Sequence, residues 1–102
     1  MKLREIAHAR TGDKGDTSMI SLIARAPAHF ETMLRVATAD RVRAHFAAFS
    51  PQVVTRHELP QLHALNFVLK GVLKGGVTRS LALDAHGKSL AFLLLDMDIG
   101  DA

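Results

Sequence analysis

The chain has no cysteine, no tryptophan and no tyrosine, and only three prolines in 102 residues. Without cysteine there is no disulfide, no thiolate metal site and no thiol nucleophile. Without tryptophan or tyrosine, the only aromatic side chains are five phenylalanines. These lie at apolar positions rather than between basic residues, and the lysines and arginines are scattered. A base-stacking platform needs exposed aromatics, so no nucleic-acid partner is expected. No apolar run approaches the roughly 20 residues that a membrane-spanning helix needs. The opening Met1-Lys2-Leu3-Arg4-Glu5 lacks the apolar segment of a signal peptide. No membrane association is expected, and a cytoplasmic location is.

What is present describes a globular chain. Hydrophobic residues make up 48% and charged residues 23%, a balance that folds around a core rather than staying disordered. The length suits one domain spanning residues 1–102. A net charge of +3 favours an anionic ligand over a cationic one.

Strand and helix signals alternate along the chain. Leu3 to Ala9 reads as an edge strand, with Ile6, His8 and Arg10 on one side if it is extended. Ser18 to Arg25 is apolar and reads as a second strand. From Ala28 to Phe49 the pattern is helical in two pieces, broken near Thr38, which is placed as an N-cap with Asp40 in the first turn. Val42, Phe46 and Phe49 recur at helical spacing there. Pro51 stops the helix, and Gln52 to Glu58 reads as a strand. Leu62 to Leu73 reads as a helix through Leu65, Leu69 and Leu73, ended by Lys74-Gly75-Gly76. Val77 to Leu83 and Lys88 to Ile99 read as a hairpin around Asp84-Ala85-His86-Gly87. Its last strand would be apolar on both faces, a pattern that calls for cover from both sides and so for a homo-oligomer. The sum is an α+β two-layer sandwich: a mainly antiparallel sheet with two main helices on one face.

Two segments carry candidate chemistry. Ala9 to Thr17 reads Ala-Arg-Thr-Gly-Asp-Lys-Gly-Asp-Thr. Its glycines permit close approach to the backbone, and successive amides in such a loop can form an anion-holding nest. The same composition suits a solvated hairpin turn. It is neither a Walker loop nor a dinucleotide fingerprint. Asp13 and Asp16 offer one hard cation fewer oxygens than Mg²⁺ or Ca²⁺ takes, so no metal is assigned, and no cofactor is indicated. The six histidines show no metal-binding spacing, and neither Ser18 nor Ser80 is marked as a nucleophile. The second segment, Leu59 to Phe67, embeds Asn66 in an apolar run. A buried amide there must find partners, in the protein or in a ligand.

These segments, with Gly75-Gly76-Val77-Thr78-Arg79-Ser80-Leu81 and Leu83-Asp84-Ala85-His86-Gly87-Lys88, resemble the AtuA-like domain of the acyclic terpene utilisation family along nearly the whole chain. The resemblance implies a ferredoxin-like fold and a setting in acyl-CoA catabolism, of acyclic terpenes or branched acids. In that family the domain usually ends a longer protein and also occurs as a separate small polypeptide. The chain departs from the pattern at Met19, where many relatives carry Asn, and at Lys74, where many carry a further Gly. Carried over residue by residue, the candidate ligand site is Arg10, Gly12, Asp13, Lys14, Gly15 and Asp16, with His63 and Asn66 as a second wall. Three functions follow as expectations. One is an accessory subunit docking onto a large AtuA-type subunit and completing a CoA-thioester site. The second is a self-sufficient homo-oligomeric acyl-CoA enzyme, and the third a structural module that binds nothing.

Overall fold

The computed structural model describes residues 1–14, 17–71 and 88–100. Two antiparallel hairpins supply its sheet. β1 (Ala7–Lys14) pairs with β2 (Thr17–Ala24), and β3 (Val53–Leu59) pairs with β4 (Ala64–Lys70). β2 then pairs antiparallel with β4, so the order across the sheet is β1-β2-β4-β3. Three helices, α1 (Pro27–Val36), α2 (Ala39–His45) and α3 (Lys88–Leu95), pack on β2, β3 and β1 respectively.

Strand alternation decides which face the helices cover. Ile20 and Leu22 of β2 and Leu65, Phe67 and Leu69 of β4 are fully buried. They form one core with Met33 and Val36 of α1, Val42 of α2, and Leu90 and Leu94 of α3. The intervening strand residues point to the other face, which no described helix covers. The two-layer α+β arrangement expected from the sequence is therefore found, with a third helix added.

The helical region from Ala28 to Phe49 divides as its sequence predicts. Pro27 starts α1, where a missing N–H costs nothing. Thr38 caps α2, its hydroxyl accepting from the Arg41 N–H at 3.2 Å. Arg56, from β3, donates to the Leu34 and Ala37 carbonyls at 2.9 and 3.1 Å. Those carbonyls lie at the end of α1, where the helix itself provides no donors.

Two elements differ from the sequence reading. Leu62 to Leu73 is not a helix within the described residues: Ala64–Lys70 is the strand β4. A spacing of four satisfies a strand as well as a helix, and Phe67, midway between Leu65 and Leu69, is buried on the same side. The second difference is Lys88 to Leu95, which is helix rather than strand. Leu90, Ala91 and Leu94 are buried while Phe92 and Leu93 are exposed, the i, i+1, i+4 pattern of a helix face. A run that is apolar throughout cannot distinguish the two by periodicity. The case for a homo-oligomer drawn from a doubly apolar last strand falls with that strand. The first strand also starts later than expected, because Leu3–Glu5 forms a 3-10 turn. The expected strand Val77 to Leu83, its turn and Lys74-Gly75-Gly76 lie outside the described residues.

The chain ends clasp one another beside this core. Leu3 N–H donates to the Met97 carbonyl at 2.9 Å, and Lys2 bridges to Asp98. Arg4 meets the Asp96 carboxylate at 2.6 Å.

Candidate functional site

The register of the four strands brings chemically distinct residues into rows across the uncovered face. Arg10 pairs with Ser21, Ser21 with Asn66, and Asn66 with His57. This polar row crosses all four strands. Strands in a sheet lie about 4.8 Å apart, so Arg10 and Asn66, two strands apart, are separated by about 10 Å at the backbone. Within the row the Asn66 amide donates to the Ser21 hydroxyl at 3.3 Å, which supplies the partner its half-buried position requires. Arg10 is exposed and has no ion pair or hydrogen bond among the described residues.

The adjacent row is Gly12, Met19, Val68 and Thr55. Gly12 sits within a regular strand, where glycine costs roughly 0.5–1 kcal/mol relative to alanine. Nothing among the described residues demands it: a Cβ added there would meet none of their atoms within 4 Å, and its φ is not positive. A strand glycine free of both constraints leaves the backbone open to something outside the chain. Met19, directly opposite, is 40% exposed. Met19 thus lies beside the glycine on the same face.

The candidate residues are distributed unevenly. Arg10, Gly12 and Asn66 share the face. Thr11 to Lys14 belong to β1 rather than to an open loop, with Lys14 paired to Thr17. Gly15 and Asp16, and the side chains of Asp13 and Lys14, lie outside the described residues. His63 is set apart. It follows a 3-10 turn at the β3–β4 end, with φ of 50°, and its ring packs edge-on to Phe30 at 5.8 Å. Its carbonyl accepts from Ala24 N–H at 2.9 Å. From there to the Lys14–Thr17 end is about 20 Å along the strands, so His63 and the glycine segment do not form two walls of one pocket.

Ser21 and His57 escaped the sequence reading. Alternation within each strand could place His57 on the uncovered face, but β2–β4 pairing decides that it completes Arg10's row. The face's register positions include no Asp or Glu. Nor does any of the five phenylalanines stand on it. Among the described residues no three of His, Asp and Glu converge on a point where a metal ion could sit, and no helix is long and apolar enough to cross a membrane.

Comparison with known proteins places this geometry in a family. No curated protein and no solved structure matches the chain. A family model described as the AtuA ferredoxin-like domain matches residues 1–100. The match covers both hairpins, all three helices and the glycine segment of β1. The chain belongs to the AtuA ferredoxin-like domain family.

Proposed function

We propose that this domain binds the anionic part of a CoA thioester on its uncovered sheet face, as an accessory subunit of a large AtuA-type protein in acyl-CoA catabolism. The observation that carries the reading is Gly12, a strand glycine with open space above it among the described residues, two positions along β1 from Arg10 and on the same face. Its missing Cβ lets a phosphate or carboxylate reach the strand backbone, and Arg10 supplies the opposite charge. A guanidinium suits this role because its fork of donors matches phosphate and carboxylate geometry. The face's described register positions add Lys70 and no carboxylate, so its field favours anions. Nucleic acid fits it less well, because the sheet surfaces that read single strands stack bases on aromatic rings, and this one has none. The large subunit would cover the face and contribute the reacting groups.

Titration with isovaleryl-CoA, alone and with the large subunit present, tests the reading through Gly12→Ala. The added methyl meets no atom of the described residues, so the thermal midpoint should not fall, while affinity should drop at least tenfold. Arg10→Ala and Lys14→Ala should weaken binding and make what remains less sensitive to salt. If Gly12→Ala and Arg10→Ala bind the thioester like wild type, the ligand is not on this face.

A further inference from the structure

The outer edge of β1 forms a second surface, which meets the sheet face at Arg10. Antiparallel strands alternate between residues that exchange hydrogen bonds with their neighbour and residues whose N–H and C=O point away. Arg25 N–H donates to the Ile6 carbonyl at 2.9 Å, which sets the phase. Counting by twos, His8, Arg10 and Gly12 bond to β2, while Ala9 and Thr11 turn their backbone groups outward. Among the described residues, no strand other than β2 lies beside β1. The outward groups open into a cleft of about 360 Å³ lined by Ala9, Arg10, Thr11, Ala91 and Phe92. Phe92, on α3, is 66% exposed at its wall.

The geometry points to strand addition: an extended segment of another polypeptide pairs with β1 along Ala9 to Thr11. Exposed edges with unpaired backbone groups are templates for such pairing, and the side chains here state what the segment must carry. The residue opposite Arg10 projects over the sheet face, where an acidic side chain neutralises an unpaired guanidinium. Its neighbours project toward α3, where apolar side chains cover Phe92 and fill the space left by Ala9, Thr11 and Ala91. An alternation of acidic and apolar residues satisfies both. A second copy of this chain fits less well, since it would bring the same cationic strand to the same edge.

The test is amide hydrogen exchange of the full chain with a capped heptapeptide of alternating Glu and Val, against its Lys/Val counterpart. The Glu/Val peptide should slow exchange at Ala9 and Thr11 at least tenfold. Arg10, already bonded to Ser21, should change little. Phe92→Ser, an exposed position, should abolish the protection without lowering the melting midpoint or altering thioester binding on the face. No slowing at millimolar peptide, or equal slowing by the Lys/Val peptide, would overturn the proposal. So would protection of Ala9 and Thr11 in the dilute chain alone, which would mean the edge is already occupied, or protection that grows with chain concentration, which would assign it to a second copy.

Discussion

Replacing Arg56 with methionine should destabilise the fold far more than its place on an edge strand suggests. Arg56 lies on the helix side of β3 with its side chain only 20% exposed. Its guanidinium donates to the Leu34 and Ala37 carbonyls and to Glu58 Oε2 at 2.9 Å. A charged hydrogen bond contributes about 1.5–3 kcal/mol, and orphaning a buried acceptor adds to the loss. Methionine keeps the stem's packing, so the substitution isolates the polar contacts. Taking the lower end of that range for each carbonyl, because water can partly replace the donor, gives a loss of about 3 kcal/mol. For a chain of this length that lowers the thermal midpoint on the order of 15 °C. Glu58→Gln is the control: its carboxylate is half exposed, and such pairs contribute about 0–1 kcal/mol. Urea unfolding of the two variants measures both. If Arg56→Met costs under about 1 kcal/mol, or Glu58→Gln costs as much, the joining of α1 to β3 rests on apolar packing and the reasoning fails.

Two further predictions address the C-terminal region. Leu94→Ala should cost about 2–5 kcal/mol, the range for truncating a fully buried leucine, whereas Phe92→Ser should cost little; equal costs in chemical denaturation would contradict the helical burial pattern of α3. Asp98 has its pKa lowered from the ordinary 3.8, first by the hydrogen bond from Gly100 N–H and then by the N-terminal ammonium. A carboxylate with a depressed folded pKa contributes stability above its unfolded pKa and loses it as pH falls through the folded one. Asp98→Asn should therefore flatten the stability profile below about pH 4 and leave its shape near neutrality unchanged, as melting curves across that range would show.

Much of the architecture was legible in the sequence because local chemistry dictated it. Thr38 with Asp40 after it marks a helix start, Pro51 marks an end, and the apolar run after Ser18 marks a strand. The errors fell where two periods coincide or where none exists. Leu65 and Leu69 satisfy a turn of helix and two steps of strand equally, and only pairing with both β2 and β3 selected the strand. The Leu90–Leu95 run is apolar in every direction, and only packing on β1 chose which residues face inward. The glycine segment was likewise recognised as unusual from composition, but its shape was not. Its first half is ordinary ladder.

The sequence by itself determined the absence of thiol chemistry, the basic charge, the helix caps and the family motif, since each is a property of residue types or of neighbours along the chain. It also singled out Arg10, Gly12 and Asn66. Only the tertiary structure decided that these three share a face, that Ser21 and His57 complete their row, and that His63 stands some 20 Å from the Lys14–Thr17 end of the strands. The reason is that β2 meets β4 across more than forty residues of chain. Register between strands so distant is set by which apolar sets can be buried together, and one step of slip would turn Arg10's neighbours on β4 to the opposite face.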